Sequence, residues 1–214
     1  MSFSREYSDI YEKTGSIPQF VDRKRLNRFL SLIPKGSYAI LDAGCAEGEL
    51  ALELARRGNH VVACDISESF LGQFQGIEKM HADIEIDPLG HEKFDYIFLT
   101  DVLEHLRSPV KALENLRIAL KDEGSLILNT PNAQWWFNIL YNWYCRNRIL
   151  SFDSADITQL HTCTFYQLTL RNLLWFSGFR VVKTHNSVLS HSLLFECRKA
   201  VKPFDIDSWV KAHQ

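Results

Sequence analysis

Two carboxylates and two glycines fall within one short stretch, Asp42-Ala43-Gly44-Cys45-Ala46-Glu47-Gly48, directly after the apolar run Tyr38-Ala39-Ile40-Leu41. Further acids stand in equivalent places: Asp65 closes the run His60-Val61-Val62-Ala63-Cys64, and Asp83 closes a weaker run from Ile77 to Ala82. Glycine permits a tight bend and lets a ligand approach the backbone. An acid at a strand end can accept hydrogen bonds from hydroxyls and attract cations. A nicotinamide dinucleotide needs something different, a GxGxxG turn whose middle glycine admits a pyrophosphate to a helix N-terminus. Here the spacing is GxxxG, with Ala46 between. Asp42 and Glu47 would repel a pyrophosphate. A ligand carrying an ammonium and a sulfonium would be drawn in, by roughly 1–4 kcal/mol at about 4 Å in wet surroundings. The chemistry indicated is binding of a cationic, phosphate-free cofactor.

Alternating strands and helices must position these residues. Leu26, Phe29, Leu30 and Ile33 recur at three- and four-residue steps in a helix that Pro18 opens and Pro34 with Gly36 stops. After the first strand and its glycine turn, Leu50, Ala51, Leu54 and Ala55 mark a helix face closed by Gly58. The second strand follows, then Ser67, placed to cap a short helix. The run Ile77–Ala82 is the third strand and Phe94–Leu99 the fourth. A helix with Val110, Leu113, Leu116, Ile118 and Leu120 comes next, then a fifth strand, Ser125–Leu128. Near-continuous apolar strands between helices predict a parallel sheet covered on both faces. The last part breaks this rhythm. A helix from Phe165 to Ser177 precedes two strands, Phe179 to His185 and Ser192 to Cys197, expected to form an antiparallel pair. The economical division is a single domain over 1–214: an N-terminal arm and helix (1–35), a cofactor-binding half (36–130), and a substrate-side half with the C-terminal strands (131–200).

The run Ile40-Leu41-Asp42-Ala43-Gly44-Cys45-Ala46-Glu47-Gly48 resembles the first motif of class I S-adenosylmethionine-dependent methyltransferases. The resemblance continues through Val62-Ala63-Cys64-Asp65-Ile66-Ser67, His81-Ala82-Asp83-Ile84 and the stretch from Phe94 to Leu106. It extends to Gly124–Asn132 and a late pattern of His161, Phe165, Leu173-Leu174 and Gly178-Phe179. It looks closest to the group that includes the ubiquinone-biosynthesis O-methyltransferases, although that family usually has glycine where Ala46 stands. The resemblance implies an α/β, Rossmann-like sheet of seven strands, mostly parallel, whose last pair contains one antiparallel strand. It also implies S-adenosyl-L-methionine as cofactor. By the same resemblance Gly44 and Gly48 line the methionine part, Asp65 takes the ribose hydroxyls, Asp83 with the Ile84 backbone contacts the adenine amino group, and Thr100 sits beside the amino acid end. Asp42, Cys45, Ala46, Ile66, Asp101 and Val102 are the further cofactor-binding candidates.

Methyl transfer to a hydroxyl needs the acceptor near the methyl carbon and a base for its proton. Histidine suits neutral pH, and His105 and His161 are the candidates: His105 follows the fourth strand, and His161 precedes the helix on the substrate side. Either could equally be a solvated structural group. Asp101, Glu104 and His105 have i, i+3, i+4 spacing, but acids at a helix start favour its dipole, and no metal is expected. The segment from Trp135 to Arg148 puts Trp135, Trp136 and Tyr141 on the substrate side. It could form an apolar lid, touch a membrane surface transiently, pack on its own domain or make a dimer contact.

A net charge of −2 over 214 residues gives no electrostatic footprint for a nucleic acid, so the expected acceptor is a small molecule, lipid or glycan precursor. The five cysteines are scattered without metal-type spacing, which suits free thiols in a reducing compartment. No secretory h-region or membrane-spanning run is present in the sequence, and the expectation is a cytoplasmic monomer or homodimer. Two other readings stand beside the methyltransferase: a non-catalytic scaffold that binds the cofactor, and an NAD-dependent oxidoreductase on a similar sheet.

Overall fold

The computed structural model describes residues 23–134, 162–186 and 190–200. Helix α1 (Arg23–Leu30) leads into strand β1 (Ala39–Ala43), helix α2 (Glu49–Arg56), β2 (His60–Asp65), α3 (Glu68–Gly72) and β3 (Glu78–His81). Then come β4 (Phe94–Thr100), a single 3-10 turn (Leu103–His105), α4 (Pro109–Ala119) and β5 (Leu120–Pro131). Helix α5 (Gln167–Phe176), β6 (Phe179–Thr184) and β7 (Ser192–Lys199) complete the described elements.

The strands form a seven-stranded sheet in the order β3-β2-β1-β4-β5-β7-β6. β1 to β5 run parallel, and β7 is antiparallel to both neighbours. This is the expected Rossmann-like sheet. Strand side chains alternate between faces, and the core divides accordingly. Leu41, Ile97, Leu99, Leu126 and Leu128 pack with Leu113 and Leu116 of α4 and with Leu170 and Leu174 of α5. Ile40, Val61, Phe98 and Ile127 pack on the other face with Phe29 and Leu30 of α1 and Leu54 of α2. The Phe29 ring meets Phe98 edge-on at 6.4 Å, which seats α1 against the middle of the sheet. Ser67 caps α3 as its sequence position suggests, accepting a hydrogen bond from the Phe70 amide at 3.2 Å.

Several boundaries differ from the sequence expectation. Val110 and Ile118 are exposed, and the buried stripe of α4 is Ala112, Leu113, Leu116 and Ala119. Two alanines and two leucines line the buried face, and the bulkier Val110 and Ile118 are left facing water. Leu120 is not helical; it opens β5, which reaches its parallel register only after an irregularity opposite Phe94–Tyr96. β3 is short, with its ends exposed, as befits an edge strand. Cys45, Cys64 and Cys197 are buried free thiols, and Cys163 is half-buried.

Candidate active site

The carboxyl ends of β1, β2 and β4 meet where strand order reverses, the place where open α/β sheets bind ligands. The turn after β1 is tied to β2 by two hydrogen bonds, the Gly44 and Cys45 amides donating to the Cys64 carbonyl at 2.8 and 3.0 Å. Gly44 and Gly48 have φ of 76° and 73°, values that L side chains adopt only at a cost. A Cβ at Gly44 would lie 2.3 Å from Val102 Cγ2, and one at Gly48 would lie 2.6 Å from the Phe74 ring. Both glycines are therefore required by space as well as by angle.

Ala46 shares the left-handed conformation, at φ 45°, and so stands under strain where the family has glycine. Its amide donates to Asp65 Oδ2 at 2.8 Å, while the Ser67 amide donates to Asp65 Oδ1 at 2.9 Å. One carboxylate thus braces two turns. Burial raises the pKa of Asp65, and the amides of Ser67, Ala46 and Ile66 pull against that rise. A carboxylate has about four lone-pair positions, so these contacts leave room for further donors.

Asp42 is more deeply placed than its motif position suggests. It is 2% exposed, and burial with the neighbouring Asp65 charge pushes its pKa up to about 7, against a hydrogen bond from the Ala51 amide. Glu47 is exposed. Asp42 and Asp65 thus stand close enough at the turn to repel one another, a repulsion that an incoming cation would relieve. Asp83 and Ile84 begin the segment after β3. Asp83 Oδ1 accepts from the Glu85 amide at 3.0 Å, and the Ile84 carbonyl accepts from Asn115 Nδ2 at 3.1 Å.

Beyond β4 the site changes character. Thr100 ends the strand opposite Asn129. Asp101, at φ 54°, accepts from Asn129 Nδ2 at 2.8 Å and is ion-paired with Arg25 of α1. Val102 fills the space against Gly44, so the glycine turn and the end of β4 are in direct contact. Glu104 does not serve a helix dipole, because Leu103–His105 is one 3-10 turn. Instead it is buried, accepts from Thr130 Oγ1 at 2.8 Å, and burial raises its pKa to about 7. Its carbonyl accepts from the Cys163 amide at 3.0 Å and from Thr162 Oγ1 at 3.1 Å. His105 is half-buried on the same turn. His161, Trp135, Trp136 and Tyr141 lie outside the described residues. Among those that are described, no group of three His, Cys, Asp or Glu side chains is arranged to hold a metal, and no helix is long and apolar enough to cross a membrane.

Sequence reasoning gave Arg25 no role and misassigned Glu104. A signal existed for the second: an acid enclosed in the apolar run Val102-Leu103-Glu104-His105-Leu106 invites burial. Arg25 carries no such mark, since only the docking of α1 brings it to Asp101.

Fold and turn together define a class I methyltransferase framework. A family profile described as a methyltransferase domain matches residues 17–184, and the chain belongs to that family. Solved structures share the fold. One is a 1,6-didemethyltoxoflavin N1-methyltransferase of Burkholderia thailandensis with bound S-adenosylhomocysteine, at TM-score 0.68 and 17% identity, covering 92% of this chain and 87% of that one. Another is a magnesium protoporphyrin IX methyltransferase of Synechocystis, also with S-adenosylhomocysteine, at TM-score 0.63 and 20% identity, covering 83% of this chain and 81% of that one. A curated relative, the tRNA U34 carboxymethyltransferase of Shewanella woodyi, is 38% identical over 109 residues, 46% of this chain. The match spans only 33% of that relative's length. The chain therefore carries a methyltransferase domain, and it spans about a third of the length of the curated relatives it matches.

Proposed function

We propose that the chain methylates an oxygen of a small molecule or lipid-like acceptor lying over the carboxyl ends of β4 and β5. The observation that carries this reading is the contact of Val102 with Gly44, which sets the glycine turn beside the half-buried pair Asp101–Asn129 and the buried pair Glu104–Thr130. Gly44, Cys45, Ala46 and Gly48 line the methionine part of the cofactor, with Asp42 beneath them supplying negative charge. Asp65 and Ile66 take the ribose, Asp83 and Ile84 the adenine, and Thr100, Asp101 and Val102 the amino acid end. When bound, S-adenosylmethionine supplies a methyl carbon on a sulfonium, open to in-line displacement. His161 or His105 accepts the hydroxyl proton. Trp135, Trp136 and Tyr141, outside the described residues, are the proposed substrate-side residues.

The near-neutral charge of the chain supports an acceptor other than a long polyanion. A second reading, RNA, rests on the tRNA-modifying name of the curated relatives. Radiolabelled methyl donor supplied with fractionated extract separates the two. Label in the low-mass or lipid fraction is the expected result, and label confined to ribonuclease-sensitive material would replace the proposal with an RNA acceptor. On the acceptor so found, His161→Ala is expected to cut turnover at least about tenfold with cofactor affinity kept, as loss of a general base does. Unchanged turnover would remove His161 as the base.

A further inference from the structure

We infer that His81 is a positioning residue for the cofactor's adenosine side, holding the turn that follows β2 through a hydrogen bond to the Ile66 carbonyl. The inference rests on the cofactor reading above. His81 is the last residue of β3 and the register partner of Asp65, and the two strand ends are further joined by the Ala82 amide donating to the Asp65 carbonyl at 3.2 Å. From there the imidazole reaches over the next peptide. Its Nε2 lies 2.9 Å from the Ile66 carbonyl, and its Nδ1 lies 3.3 Å from Glu68 Oε1 on α3.

A peptide carbonyl only accepts hydrogen bonds, so the imidazole donates from Nε2 to the Ile66 carbonyl. The charged groups facing it are acidic: Glu68 from α3, and Asp65 from β2, whose own pKa His81 pulls downward. Fixing the Ile66 carbonyl fixes the peptide planes on either side of it. Those planes carry the Ser67 amide that donates to Asp65 Oδ1 and the Ile66 amide that also lowers the Asp65 pKa. His81 therefore holds the Asp65 carboxylate in orientation without touching the cofactor.

The test is calorimetric titration of the full chain with S-adenosylhomocysteine for the wild type, His81→Leu and His81→Gln. Glutamine places an amide N–H near the Nε2 position. His81→Leu is expected to weaken binding about three- to tenfold, the range for one lost hydrogen bond, and His81→Gln to restore most of that loss. Equal affinity of His81→Leu and wild type overturns the inference. So does a glutamine variant as weak as the leucine variant. Failure of the wild type itself to bind would instead overturn the cofactor reading, and the inference with it.

Discussion

The two sides of this cleft are built by different means. On the cofactor side, the turns after β1 and β2 are held by backbone amides: Gly44 and Cys45 on the Cys64 carbonyl, Ala46 and Ser67 on the Asp65 carboxylate. On the proposed acceptor side, side chains meet in pairs instead, Glu104 with Thr130 and, at the border with the cofactor, Asp101 with Asn129. A backbone-built site demands particular residues at particular φ angles and so writes itself into a short motif. A site of side-chain pairs, each spanning more than twenty residues of sequence, can be altered piecemeal and leaves no local signature.

The sharpest way to break this contrast is to compare glycines. Gly44→Ala should cost about 2–5 kcal/mol, combining the left-handed penalty with overpacking against Val102, and should abolish binding of S-adenosylhomocysteine. Gly76 has a similar φ of 89°, but nothing lies within 4 Å of its would-be Cβ. Its alanine variant should lose only about 1–2 kcal/mol and keep cofactor affinity. Denaturant unfolding and ligand titration of both variants check this; equal losses would mean that the close approach at Gly44 contributes nothing.

The acceptor side is probed through Glu104. Burial raises its pKa from 4.5 to about 7, so the folded state holds this proton more tightly than the unfolded chain. Its contribution to stability is complete below the ordinary carboxylate range and is lost as pH rises through about 7. Glutamine imitates the protonated form and does not titrate. Between acidic pH and pH about 8, wild type should therefore lose on the order of 2–3 kcal/mol relative to Glu104→Gln. Parallel stability curves for the two proteins would contradict this. Thr130→Val removes the hydroxyl donor from the buried carboxyl and should cost about 1–3 kcal/mol, with methyl transfer reduced and cofactor affinity unchanged. A matching fall in affinity would show that the two sides cannot be separated.

The smallest effect is expected at Ala46. Replacing it with glycine relieves about 1–2 kcal/mol of left-handed strain and returns about 0.4–1 kcal/mol of unfolded-chain entropy. The net expectation is stabilisation by about 0.5–1 kcal/mol, read from the unfolding midpoint. Destabilisation would mean that the Ala46 methyl makes a contact that matters more than its angle.

These differences also explain what could be read beforehand. The strand end at Asp65, the capping role of Ser67 and the antiparallel last strand follow from local patterns and the structure bears them out, whereas β1 runs one residue past Asp42 and β3 stops at His81, two residues before Asp83. The phase of α4 did not follow, because Val110 and Ile118 look like core until the burial of Ala112 and Ala119 is known. The depth of Asp42 was equally hidden, since an acid at a strand end looks alike whether it faces the cleft or sits beneath the turn. Arg25 reaches Asp101 only through the docking of α1, and lies in no pattern that marks it. The acceptor-side candidates Trp135, Trp136, Tyr141 and His161 fall outside the described residues.

The central claim is that this turn binds a cationic, phosphate-free cofactor oriented by Asp65. Titrating the wild type and Asp65→Asn with S-adenosylhomocysteine and with NAD tests it most directly. The account predicts saturable binding of S-adenosylhomocysteine, no binding of NAD, and affinity reduced about ten- to a hundredfold in the asparagine variant, the range for hydrogen bonds to a charged group. NAD binding in preference to S-adenosylhomocysteine, or an asparagine variant that binds as tightly as wild type, would contradict it.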